Sequence, residues 1–93
     1  MKIVINVCFG GFGLSDEAEA FFEKRIEWLN DSELRTNPLF IQKVEEKSEW
    51  VSNDCSKLKV VEIPDEATDW EINEYDGWEN IIYVKNGKIY HKI

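Results

Sequence analysis

The chain has 93 residues, of which 43% are hydrophobic and 13% aromatic, and its 19 Asp and Glu outweigh 11 Lys and Arg to give a formal net charge of −8. This length supports one small domain over 1–93. The acidic balance excludes direct binding to DNA, RNA or an anionic membrane, each of which repels such a chain when no basic tail compensates.

Lys2-Ile3-Val4-Ile5-Asn6-Val7-Cys8 is an apolar, β-branched run that predicts a buried first strand. Interrupted by Asn6 and followed by glycines, it is too short for a signal peptide or a membrane span, so a soluble cytoplasmic protein is expected. Cys8 and Cys55 fit a reducing compartment, each as a small buried hydrophobe.

The run Phe9-Gly10-Gly11-Phe12-Gly13-Leu14-Ser15 then turns from strand to helix, with Ser15-Asp16-Glu17 reading as an N-cap and an acidic first turn. Such a turn aims backbone N–H groups and the positive helix end at one point, which is how phosphates are held with few basic side chains. Its spacing is neither the P-loop nor the dinucleotide fingerprint. Two readings stand side by side. In one, the glycines make a tight connection with positive φ; in the other, the loop takes an anion, with Phe9 or Phe12 free to stack on a base.

Ala18, Phe21, Phe22, Ile26 and Leu29 recur at helical spacing over 15–30, with Glu19, Glu23, Lys24 and Glu27 opposite and Arg25 and Trp28 at the border. Asn30-Asp31-Ser32 reads as the end of that helix and Leu34-Arg35-Thr36 as a linker. Asn37-Pro38 then opens a second helix with Phe40, Ile41, Val44, Ser48 and Val51 inward, finishing near Ser52-Asn53. Lys57 to Ile63 alternates polar and apolar up to Pro64 and predicts a strand beside the first, parallel through a right-handed crossover.

From Glu62 to Glu79 there are eight carboxylates and no Lys or Arg, interleaved with Trp70, Ile72, Tyr75 and Trp78. Trp70 to Tyr75 reads as a short strand and Asp76-Gly77 as a turn. Ile81 to Ile93 reads as a hairpin about Asn86-Gly87. The fold class expected is α+β: a small mixed sheet in the order β-α-α-β-β-β-β, with two helices packed on one face.

His91, the only histidine, makes no recognisable catalytic constellation with Cys8 or the tail carboxylates, so no enzyme and no cofactor are expected. A phosphodiesterase would need a base or metal that the sequence does not locate. The pairs Asp65/Glu66, Asp69/Glu71 and Glu74/Asp76 lack the calcium-loop pattern and are not read as a metal site. The ligand-binding candidates are Phe9, Gly10, Gly11, Phe12, Gly13, Leu14 and Ser15 as a cradle. Arg35 would fork onto a phosphate, and Trp70, Tyr75 and Trp78 would stack on a base or fill a subunit interface. Four Trp, five Phe and three Tyr are a heavy aromatic load for so short a chain, which points to a homo-oligomer.

The strings KIVINxCxGGFGLSxEA from Lys2 to Ala18, Leu58-Lys59-Val60-Val61-Glu62-Ile63-Pro64-Asp65 and Trp70-Glu71-Ile72-x-Glu74-Tyr75-Asp76-Gly77 resemble a widespread family of small phage and prophage proteins. The resemblance runs to about Trp78; where that family ends in a short polar tail, this chain has the Asn86-Gly87 hairpin. By analogy with phage anti-defence sponges, it implies a non-enzymatic homo-oligomer in the host cytoplasm that sequesters a nucleotide immune signal of the cyclic dinucleotide or cyclic ADP-ribose type. The alternative, from the carboxylate run, is an acidic protein-interaction module, a DNA mimic or an inhibitor of a host defence enzyme.

Overall fold

The protein is described by a computed structural model that covers residues 1–26 and 30–92. It is α+β, in the order β1 (Lys2–Asn6), α1 (Asp16–Glu23), α2 (Asp31–Thr36), α3 (Pro38–Val51), β2 (Leu58–Glu62), β3 (Asp69–Tyr75), β4 (Trp78–Lys85) and β5 (Lys88–Lys92). The positions Glu27, Trp28 and Leu29 of the first helical stripe, and Ile93 of the last strand, lie outside the described residues.

The elements stack in three layers. Ile3, Val4 and Ile5 are all fully buried because β1 is covered on both faces, as an uninterrupted apolar strand must be. Val4 and Leu58 pack with Ala18, Phe22, Phe40, Val44 and Val51 of the helices. Ile3, Ile5, Val61 and Ile63 pack with Ile81 of β4, and Trp70, Ile72 and Tyr83 border that second core. The β1–β2 ribbon is therefore the middle layer between helices and the β3-β4-β5 sheet.

The sheet organisation differs from the single mixed sheet expected. The strands form two antiparallel sheets, β1-β2 and β3-β4-β5. β1 and β2 run antiparallel, with Lys2 opposite Glu62 and Asn6 opposite Leu58, where a parallel pair was expected. The reason lies where the chain re-enters: Val7 N donates to Lys57 O at 2.8 Å and Lys57 N donates to Asn6 Oδ1 at 2.8 Å, so β2 starts at the end where β1 stops. The helices make a detour on one face rather than a crossover.

The stretch read as a linker also contains a third helix, α2. Asn30 does not end the preceding helix but caps this one, its Oδ1 accepting from Glu33 N at 2.8 Å, while Asp31 and Glu33 suit its N-terminal end and Arg35 its C-terminal end. Asn37 caps α3 as expected, accepting from Leu39 N and Phe40 N ahead of Phe40, Val44 and Val51, which are buried. Ser48 donates its hydroxyl to Leu58 O and so ties α3 to β2. Among the described residues no helix is long and apolar enough to cross a membrane.

Phe40 contacts Phe12 and Phe22 at ring distances of 6.1 and 5.2 Å in the centre of the helical core. Phe40→Ala is expected to cost about 3–5 kcal/mol, and Asn37→Ala about 1 kcal/mol, in chemical denaturation; equal losses would show that the cap, not the ring, sets α3 in place.

Candidate functional site

The glycine loop is built around another part of the chain. Gly10 N donates to Asp76 O at 3.2 Å, and a Cβ added at Gly77 would overlap the backbone nitrogens of Gly10 and Gly11. The β3–β4 hairpin turn, Asp76-Gly77, is thus seated in the loop that follows β1. Gly10, at φ +144°, also passes so close to Cys55 O that no side chain fits there, and Gly13 lies against the Asn53 side chain. Close approach therefore explains the glycines at 10, 13 and 77. Cys55 itself is exposed and Cys8 partly so, unlike the two buried hydrophobes expected, because Cys55 sits on a surface turn over Gly10.

Asn6 locks the turn from below. Its buried Nδ2 donates to Cys8 O and Gly77 O, both at 2.7 Å, while its Oδ1 accepts from Lys57 N. The polar residue that interrupts the first apolar run is therefore a bracket joining β1, the glycine loop, β2 and the hairpin.

Beside it lies a buried ion pair. Arg35 and Glu79 are each 4% exposed, and Nη1 and Nη2 of Arg35 donate to Oε1 and Oε2 of Glu79 at 2.7 and 2.9 Å. Arg35 Nη1 also donates to Val4 O at 3.1 Å, and Glu79 Oε1 accepts from Asn6 N at 2.8 Å. Because Met1 O and Val7 N bond to Ile63 and Lys57, which flank β2 in the antiparallel register, the polar groups of Val4 and Asn6 face the opposite, open edge of β1. The ion pair supplies the donor and acceptor that a neighbouring strand would have given there. Asp31 accepts from Arg35 Nε at 2.8 Å, and the Phe12 ring lies 4.1 Å below the guanidinium. Burial alone would push the Arg35 pKa down; hydrogen bonds and charge from Glu79 and Asp31 outweigh it and hold the pKa above its ordinary value, so the group stays charged.

The candidate ligand residues fall into four places. Phe9, Gly10 and Gly11 lie beside Trp78, with the Phe9 and Trp78 rings 5.1 Å apart and Tyr75 opposite Trp78 across the hairpin. Phe9 is 61% and Tyr75 74% exposed. Phe12 and Arg35 meet in the interior, where the arginine fork expected to take a phosphate is occupied by Glu79. Trp70 borders the core between the two sheets. Leu14 and Ser15 pair with the end of α3: Ser15 N donates to Val51 O at 2.9 Å, and its hydroxyl donates to Trp50 O and accepts from Ala18 N. The adjoining hollow of about 410 Å³ is lined by Leu14, Ser15, Asp16, Glu17, Ser52, Asn53, Asp54 and Cys55, so three carboxylates face any anion entering it.

The carboxylate run is the opposite case. Seven of its eight members, Glu62, Asp65, Glu66, Asp69, Glu71, Glu74 and Asp76, are exposed; only Glu79 is buried. They follow the end of β2, the connecting turn, the edge strand β3 and the hairpin turn; Glu62, Asp65 and Glu66 line a hollow with Met1, Tyr83 and Lys92 of β5, whereas Asp69, Glu71 and Glu74 lie on β3 at the other edge of the sheet. Asp65 is held below its ordinary pKa by a hydrogen bond and charge from the Met1 ammonium, 2.7 Å away. Among the described residues no group of three or more His, Cys, Asp or Glu is arranged to hold a metal ion.

No site role was expected of Asn6, Gly77 or Glu79. Asn6 carried a signal, a lone amide inside an apolar run; Glu79 carried none, being one acid among eight.

Arg35→Met is expected to cost about 3–5 kcal/mol, since it leaves the buried Glu79 charge unpaired, and Glu79→Gln less, since Arg35 keeps its ion pair with Asp31. The double variant Arg35→Met/Glu79→Met is expected to lose less than the sum yet remain about 2 kcal/mol below the parent, because Val4 O and Asn6 N then lack partners; full recovery in denaturant titrations would show that the edge needs no cap. Gly77→Ala is expected to lower Tm by at least ~10 °C, against ~5 °C for Gly87→Ala, which meets open space at a similar positive φ. Comparison of the chain with protein-family models, curated proteins and solved structures gives no match, so the functional reading rests on this geometry alone.

Proposed function

We propose that the protein is a non-catalytic interaction module that presents its acidic 62–76 segment to a basic groove on a protein partner, as a DNA mimic or an inhibitor of a host enzyme does. One observation carries this reading: seven carboxylates in one continuous segment are exposed with no Lys or Arg among them, and the eighth is neutralised inside by Arg35. β3 is an edge strand, so carboxylates from both of its faces, Asp69, Glu71 and Glu74, lie along one edge of the sheet. Such a surface raises the encounter rate with a positive partner and repels nucleic acid itself.

A phosphate-containing nucleotide signal at the glycine loop is the competing reading, favoured by the exposed Phe9 and Trp78 rings beside Gly11. It is opposed by the commitment of Gly10 N and Ser15 N to backbone carbonyls, by the occupied Arg35 fork, and by Asp16, Glu17 and Asp54 around the neighbouring hollow. In both readings the chain binds rather than turns over its ligand.

The deciding experiment compares two triple charge reversals of equal net charge. Titrated with a deca-arginine peptide at 50 and 200 mM salt, the variant Glu62→Lys/Glu66→Lys/Glu74→Lys is expected to bind at least about tenfold more weakly than the parent, and Glu19→Lys/Glu23→Lys/Glu49→Lys within about threefold of it. Equal losses in the two variants would mean that only net charge acts. A rise in Tm of several degrees with cyclic dinucleotides or cyclic ADP-ribose isomers would move the function to the glycine loop.

A further inference from the structure

β3 has one strand neighbour, β4, and no described strand lies along its other edge. The two-residue turn Asp76-Gly77, with positive φ at both positions, makes Tyr75 and Trp78 a hydrogen-bonded pair. The alternation of an antiparallel ladder then bonds Asn73 to Asn80 and Glu71 to Ile82. The N–H and C=O groups of Trp70, Ile72 and Glu74 therefore point away from β4. Trp70 N turns to its own neighbour and donates to Asp69 Oδ1 at 2.9 Å. The N–H groups of Ile72 and Glu74 have no partner among the described residues.

The edge carries one sign of charge. β3 holds Asp69, Glu71 and Glu74 and no base, and none of the three is paired with a described Lys or Arg. Asp69 and Glu71 share the face turned away from the β1–β2 ribbon. Trp70, Ile72 and Glu74 share the face turned toward it, where Trp70 and Ile72 are half-buried against the second core.

We infer that β3 takes an extended basic segment of a protein partner as an added strand. This rests on the acidic-module reading of the function and specifies how the partner is held: the unpaired backbone of Ile72 and Glu74 supplies the attachment, and charge selects the occupant. A second β3 would set acid against acid across the pair. Pairing with β5 of another copy would leave one free edge of each kind and propagate without closing. Lysines guard the β5 edge, whereas β3 has neither Lys nor Pro. Side chains opposite one another across a strand pair share a face. Basic residues of the partner therefore meet Asp69 and Glu71, and apolar residues between them continue the surface of Trp70 and Ile72. The segment recognised alternates basic and apolar side chains.

The test uses the intact chain and an end-capped peptide of alternating Lys and Val, as long as the seven residues of β3, in about 100 mM salt. At saturation the peptide is expected to slow amide hydrogen exchange at Ile72 and Glu74 at least about tenfold. Only alternate amides of an added strand face β3. Of two peptides N-methylated at the Val or at the Lys amides, one is thus expected to bind at least about tenfold more weakly than the parent peptide and the other within about threefold of it. Glu74→Pro removes an outward N–H at a position where an edge strand accepts proline; it is expected to bind the peptide at least about tenfold more weakly than Glu74→Thr, which loses the same carboxylate. Equal binding of the two methylated peptides, unchanged exchange at Ile72 and Glu74, or no binding of the alternating peptide overturns strand addition. Growth of the chain alone into larger species that the peptide does not suppress gives the edge to β5 of another copy and overturns it as well. If deca-arginine still separates the two charge-reversed triple variants in any of these cases, the acidic-module reading stands without the added strand; if it does not, both fall.

Discussion

The architecture depends on how the open edge of β1 is closed. β1 has one strand neighbour, β2, and its other edge would leave Val4 O and Asn6 N buried without partners, at a cost comparable to lost hydrogen bonds. Arg35 from the helical layer and Glu79 from the sheet layer meet at that edge, donate and accept in place of a strand, and neutralise one another. A buried ion pair adds little net stability against a well-packed apolar substitute. Its contribution here is positional, because all three layers contact at one point, and the pair is satisfied only when α2, β1 and β4 are in register.

The same logic accounts for the glycine loop. Backbone N–H groups at a strand-to-helix turn form an attractive anion cradle only while they are unoccupied. In this fold the hairpin turn of Asp76 and Gly77 fills the loop, Asn6 brackets both, and the close approach requires the absence of side chains at Gly10 and Gly77. The loop is therefore a socket for the chain's own turn, and the aromatic rings at its rim, Phe9 and Trp78, pack against each other at a tilt of 54°.

Charge is sorted as tightly as the packing. The exposed carboxylates follow β3 and its flanking turns, while Lys85, Lys88 and Lys92 sit on the last hairpin and no acid follows Glu79. Within the three-stranded sheet the acidic strand β3 and the basic strand β5 form opposite edges, and Lys92 of β5 shares a hollow with Glu62, Asp65 and Glu66. The lysines on β5 also discourage edge-to-edge growth of the sheet.

The sequence by itself determined the α+β class, the buried first strand, the Asn37-Pro38 start of α3, the alternating β2 and the turns at Asp76-Gly77 and Asn86-Gly87, because each follows from local periodicity or from a backbone conformation few residues adopt. It also showed the carboxylate run, whose exposure follows from the cost of burying unpaired charge. Only the tertiary structure decided the antiparallel pairing of β1 and β2, the separation of the strands into two sheets, and the choice of Asn30 as a start rather than a stop. It alone distinguished Glu79 from seven similar acids and Arg35 from a surface arginine. Those outcomes hang on which groups meet across Val4, Arg35 and Glu79, residues tens of positions apart, and no local pattern records a partner at that distance.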